Sequence, residues 1–205
     1  MELRLQSSNI SEYLEQTKTV DYNHPLVIKA AKELSTNISN EIELAIIIYE
    51  YVRDKISHSA DIEGKAVTCC ASEVLKMKEG ICYAKSHLLA ALMRCNGIPC
   101  GFCYQLLRLE NEESPLVIHG LNAIHLKSIN KWIRLDSRGN KSGVNAQFSL
   151  EKEKLAFNIR DEFDEINYPI IFSKPDFNVI AALENSKSLY ELWANLPSAL
   201  YTKIL

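Results

Sequence analysis

Cys82 stands directly behind Gly80-Ile81, at the point where an apolar helical pattern begins. A helix N-terminus is partly positive, because its first N–H groups lack intrahelical partners and the peptide dipoles add up there. A thiolate at that place is stabilised, and with a nearby imidazole it becomes a nucleophile for acyl carbons. Five histidines could supply the imidazole. His87 lies five residues along the same helix, about 7.5 Å up the axis and turned about 140° away, which makes it a poor partner. His24 precedes Pro25 in an ordinary segment, and His58 follows a strong helical pattern, where it would cap or pack. His119 and His125 share one predicted strand and, six residues apart, point to the same face. Asp136 closes the next strand and could orient an imidazole. With the intervening turn centred between Ser128 and Ile129, Asp136 falls opposite Leu121, within diagonal reach of His119. Shifted one residue towards the C-terminus, the same turn brings Asp136 nearer His125. Periodicity leaves both registers open.

The elements that must position these groups follow from pattern. Ala84, Leu88, Ala91, Leu92 and Cys95 mark the buried face of a helix from about Cys82 to Cys95, and Gly97 stops it. Ile42, Ala45, Tyr49, Val52 and Ile56 form the apolar face of an earlier helix, capped by Ser39 or Asn40 with Glu43 in the first turn. A shorter helix spans Pro25 to Leu34, and "ASEVLKMK" reads as one or two turns with Ser72 as the cap. "GFCYQLLRL", "LVIHGLNAIHL" and "KWIRLDS" read as strands, with turns at Asn111–Pro115 and around Ser128 to Asn130. The last forty-five residues read as loop and prolines, with a helix around "SLYELWANL". Helices first and then a strand cluster argue for an α+β fold rather than alternating α/β.

Composition narrows the function classes. The chain has 205 residues, 47% of them hydrophobic, enough for one well-filled domain. A net charge of −3 with scattered Lys and Arg gives no footprint for nucleic acid. The N-terminal "MELRLQSSNISEYLEQ" has no apolar signal core, and the longest apolar run is far too short for a membrane span. A cytoplasmic protein without membrane contact is expected, its six cysteines free thiols, five of them structural. Cys100 and Cys103 have the spacing of a dithiol redox site, but on a strand residues three apart face opposite ways. Cys69, Cys70, Cys82 and the histidines lack the paired spacing of a structural zinc site.

The block "GICYAKSHLLAALMRCNGIPCGFCYQ" resembles the nucleophile helix of the transglutaminase-like superfamily, whose fold is related to papain. "HGLNAIHLKSINKWIRLDSRGN" is similar to that family's histidine and aspartate strands, with a tryptophan four residues before the aspartate. "YEYVRDKI", "NAQFSLEKEKLAF" and "LWANLPSAL" look like segments of small bacterial members, so the likeness covers most of the chain. It implies a papain-like core with N-terminal helices and a Cys-bearing helix packed on an antiparallel sheet. It implies one domain over 1–205, divided into an N-terminal helical region over 1–78, a catalytic core over 79–160 and a C-terminal extension over 161–205. It implies a Cys82–His119–Asp136 triad acting on a peptide or amide through a thioester, with no cofactor. His125 becomes a neighbour with a minor chance of touching substrate. Tyr104 and Gln105 are candidates for a second oxyanion donor beside the Cys82 N–H. The sequence departs from the family where Gly120-Leu121 follows the histidine in place of Ala-Trp, which argues for hydrolysis over protein cross-linking. The remaining alternatives are transfer to an amine, as a transglutaminase does, and a binding module with a degenerate site.

Overall fold

The computed structural model describes residues 1–109 and 113–202. In chain order its elements are β1 (Arg4–Leu5), α1 (Pro25–Ser35), α2 (Glu41–Lys55), β2 (Ser57–His58), α3 (Ala71–Met77), β3 (Glu79–Gly80) and α4 (Cys82–Cys95). There follow β4 (Cys100–Arg108), β5 (Leu116–Leu126), β6 (Lys131–Leu135), β7 (Ile166–Asn167), β8 (Ile170–Ile171), α5 (Phe177–Asn185) and α6 (Leu189–Ala194). The fold is the α+β arrangement expected of a transglutaminase-like core. The turn expected at Asn111–Pro115 begins outside the described residues.

Local chemistry sets the helix bounds. The Asn40 side chain accepts the Glu43 N–H at 3.0 Å and starts α2, whose last turn carries Arg53 and Lys55 near the negative end of the dipole. At α3 the cap is Cys70 rather than Ser72. The Glu73 carboxylate accepts the N–H groups of Cys69 and Cys70, at 2.9 and 3.1 Å, while the Ser72 N–H goes to the Asp21 carboxylate. A glutamate three residues inside the helix satisfies the orphan donors that a serine cap would have taken.

The central helix α4 is buried around its whole circumference from Tyr83 to Arg94, not along one stripe. It packs against α1, α2 and α3 on one side and against β4 and β5 on the other. Its two buried basic side chains are held by backbone carbonyls. Lys85 Nζ donates to the Ile56 and Arg53 carbonyls at the C-terminus of α2, at 2.5 and 3.2 Å. The Arg94 guanidinium donates to the carbonyls of Glu15, Cys100 and Ser173. Gly97, at φ +74°, ends the helix in a conformation that favours glycine.

The sheet is antiparallel, in the order β6-β5-β4-β7. Phe102, Tyr104, Ile118 and Ile124 join the cluster around α4, while Cys103, Leu121 and Ala123 pack with Tyr13, Ile171 and Trp132 on the other face. β6 pairs with β5 only over Asn122 to Leu126, with Asn122 opposite Leu135. Beyond the end of β6 the edge of β5 is met by the C-terminal chain, where the Ile118 N–H donates to the Pro197 carbonyl at 2.7 Å. Two short parallel pairs, β1 with β8 and β2 with β3, tie distant segments to this framework. The segment read as loop before α6 contains α5, capped by the Asp176 side chain. Among the described residues no helix is long and apolar enough to cross a membrane.

Candidate active site

Two elements that meet edge-on bring the sequence-predicted groups together. Cys82 is the first residue of α4, so its N–H has no partner within the helix. Tyr83, next along, docks that helix end onto β5: its hydroxyl donates to the Ile118 carbonyl. The contact explains Gly120, where the sequence departs from the family pattern. A Cβ at Gly120 would lie 2.9 Å from Tyr83 Cδ1, so any larger residue would push α4 away from the strand that carries His119.

With Asn122 opposite Leu135, the ladder continued by one pair sets Asp136 opposite Leu121. This is the register that favours His119. His119 Nε2 lies 2.8 Å from Asp136 Oδ2, and both side chains are buried. Asp136 is held from several sides. Oδ2 also accepts the Ala156 N–H and Oδ1 the Arg138 N–H, both at 3.1 Å, while the Tyr49 hydroxyl of α2 donates to its carbonyl. With Nε2 on the carboxylate, Nδ1 of His119 is the nitrogen left for Cys82.

Burial by itself favours the neutral imidazole of His119 and the neutral carboxyl of Asp136. For His119 the Asp136 charge and the Cys82 sulfur outweigh burial and raise the pKa to about 10. For Asp136 the imidazolium and the two backbone N–H groups hold the carboxyl below its ordinary range. The ring of Phe157 stands edge-on to His119, centroids 5.0 Å apart, and shields it.

Burial acts on the other five thiols. Burial pushes Cys69, Cys100 and Cys103 up to about 12 and Cys70 to about 11, and raises Cys95. All six are free, and Cys100 and Cys103 lie on opposite faces of β4. The dithiol reading therefore lacks the geometry it needs. Among the described residues no three His, Cys, Asp or Glu side chains are grouped as metal ligands would be.

Three further sequence candidates are engaged with other partners. The Tyr104 hydroxyl accepts the Asp176 N–H at 2.8 Å, so it anchors the start of α5. Gln105 pairs with His119 across the ladder, but its amide reaches towards the Phe157 carbonyl, 3.5 Å away, in a supporting position. His125 is six residues from His119, about 20 Å along the strand. It packs on Trp132 and pairs with Asn130.

Cys82 and His119 open into a cleft of about 610 Å³. Leu107, Val117, Phe157, Trp193 and Leu196 form an apolar wall, and His58, Arg138 and Lys141 a polar one. Arg138 and Lys141 both pair with Asp61. Sequence reasoning passed over these residues. Trp193 was visible only as one residue of a helix, and His58 only as a helix-end residue. Phe157 and Arg138 carry no local signal, because their place depends on how the chain returns after β6. A second hollow of about 700 Å³, between α5, α6 and the following chain, is lined by neither thiol nor imidazole.

Comparison with known proteins agrees with this fold. A candidate cysteine protease from Cytophaga hutchinsonii superposes with a TM-score of 0.53 at 16% identity, over 64% of this chain and 43% of that one. The periplasmic domain of TgpA from Pseudomonas aeruginosa, bound to ethylmercury, gives 0.47 at 16% identity, over 62% of this chain and 48% of that one. The chain thus spans less than half the length of either neighbour. No curated protein matches by sequence. The profile of the transglutaminase-like superfamily matches residues 28–137, more than half of the chain and the stretch that holds Cys82, His119 and Asp136, and the chain belongs to that superfamily.

Proposed function

We propose that the chain is a cysteine-dependent acyl-transfer enzyme that hydrolyses an amide or peptide bond through a thioester. The carrying observation is His119 braced by Asp136 at 2.8 Å in a cleft that Cys82 also lines. In this reading the Cys82 thiolate attacks the carbonyl carbon, a C–S bond forms, and the carbonyl electrons move onto oxygen. The intermediate collapses, the C–N bond breaks, and the leaving amine takes the proton from His119 Nδ1. Water then gives a proton back to Nδ1 as it adds to the thioester, and the sulfur leaves as thiolate. Asp136 stays ionised throughout and fixes the ring's tautomer and angle.

The apolar wall supports an acyl donor with a large apolar side chain. Residues 79–160 would form the catalytic core, and the 161–205 extension would complete the cleft through Trp193 and Leu196. Six free thiols fit a reducing, cytoplasmic setting. The test is alkylation read cysteine by cysteine against pH, followed by hydrolysis of peptide amides with and without added amine. Cys82 should react first and lose that advantage in His119→Ala. A faster reaction at any other cysteine overturns the assignment. Products that incorporate the amine in preference to water would turn the reading to a transglutaminase.

A further inference from the structure

The oxyanion of the tetrahedral intermediate needs a second donor beside the Cys82 N–H; the Tyr104 hydroxyl is anchored at the start of α5, and the Gln105 amide reaches towards the Phe157 carbonyl. His58 is placed for it. β2 runs parallel to β3 with His58 opposite Gly80, which sets its backbone about 4.8 Å from the segment that feeds Cys82 into α4. Its ring lines the cleft together with Cys82 and His119. The ring is more than nine-tenths buried, and its Nδ1 has no hydrogen-bond partner. Buried polar atoms are nearly always paired, so a ring that lines the cleft with one nitrogen enclosed and unpaired asks for a function.

Charge points the same way. Burial first, and the Arg138 guanidinium next, bring the His58 pKa down to about 3. Both influences favour the neutral imidazole, which has one N–H and one lone pair. Such a group can hydrogen-bond a developing oxyanion without giving up its proton. With Nδ1 enclosed, the N–H belongs at Nε2, the nitrogen left to face the cleft.

We propose that His58 is the second oxyanion donor, its Nε2–H and the Cys82 N–H together holding the oxygen on which negative charge develops. No proton moves in this step: the carbonyl π electrons pass to oxygen as the C–S bond forms, and return as the C–N bond breaks. The inference rests on the acyl-transfer reading above. It is distinct from the triad, because His58 acts on the substrate oxygen and not on the sulfur.

Two reactions of the same sulfur separate the roles. Alkylation by iodoacetamide is a displacement at saturated carbon and creates no oxyanion, whereas acylation by p-nitrophenyl acetate does. In His58→Ala the acylation of Cys82 should slow by roughly 10²-fold while its alkylation stays within twofold of wild type. His58→Gln, which keeps an N–H donor, should recover much of the loss. Unchanged acylation in His58→Ala overturns the inference alone. A parallel loss of alkylation also overturns it, by showing that His58 merely holds the site together. Wild-type Cys82 that alkylates but resists acylation sinks the acyl-transfer reading, and this inference with it.

Discussion

His119 and His125 share a strand, a face and a residue type, yet the molecule treats them in opposite ways. His119 meets a buried carboxylate at 2.8 Å, with the Cys82 thiol in the same cleft and an aromatic edge over the ring. His125 meets the ring of Trp132 and an amide oxygen of Asn130 at 3.3 Å. The strand itself does not make the difference. β6 covers β5 only as far as Asn122, so near His125 the neighbouring strand supplies packing. Where β6 ends, the chain turns away and leaves room for Asp136, the tip of α4 and a cleft. His119 meets a carboxylate and a cleft because the sheet stops beside it.

The largest effect should break that symmetry. His119→Ala is expected to lower peptide-amide hydrolysis by at least roughly 10⁴-fold, while His125→Ala leaves kcat/KM within twofold. Equal losses at the two positions would show that the assignment to one end of the strand is wrong. Asp136→Asn comes next, at about 10³-fold, with His119 keeping its proton over a narrower alkaline range. A pH–rate profile unmoved by this change would remove Asp136 from its proposed role.

Stability should distinguish the histidines as well. The native pKa of His119, about 10, lies above the roughly 6.5 of an unfolded chain. Its contribution is therefore complete below pH about 6.5 and is lost as pH rises towards 10. Asp136 has the reverse sign. Held below its ordinary value, it contributes above about pH 4 and loses that contribution as pH falls through its native pKa. Urea unfolding at pH 6 and pH 10 should show a steeper alkaline loss in wild type than in His119→Gln. Identical slopes would mean that the imidazolium is not stabilised in the native state.

Two smaller effects sharpen the picture around the cleft. Trp193→Ala should raise KM for acyl donors with large apolar side chains by about 10-fold and leave kcat nearly unchanged, since the wall binds ground state and transition state alike. Gly120→Ala should cost about 1–3 kcal/mol in chemical denaturation, because the new methyl meets the Tyr83 ring at 2.9 Å. A Gly120→Ala protein of wild-type stability would show that α4 is not tightly seated on β5.

Much of this was written locally in the chain. The bounds of α4, the strands β4 to β6 and their separation by a polar turn follow from period and turn chemistry, and the family likeness chose between the two registers. Other features are products of assembly. β1, β2, β3 and β8 are two residues long each, too short to leave a periodic trace, and exist because distant segments pair. The cap of α3 moved from Ser72 to Cys70 because Glu73 reached back and Asp21 took the Ser72 N–H. α5 was hidden by the prolines around it. His58 resembled any helix-end histidine until its pairing with Gly80 set it beside Cys82. Cys82 was legible as a candidate nucleophile because helix starts have a signature. The site's polar wall was not, because that wall is assembled from loops.

The bond from Ile118 to Pro197 has a consequence for how copies of this chain meet one another. A strand edge with free N–H and C=O groups is a template for pairing with any passing extended segment. Here the chain's own C-terminal stretch takes that place, tethered further on where the Tyr201 N–H binds the Asp176 carboxylate. The same few residues that wall the cleft thus keep the sheet from recruiting a neighbour. Trimming them to widen the cleft would also uncover an adhesive edge, and such a protein would self-associate as its concentration rose.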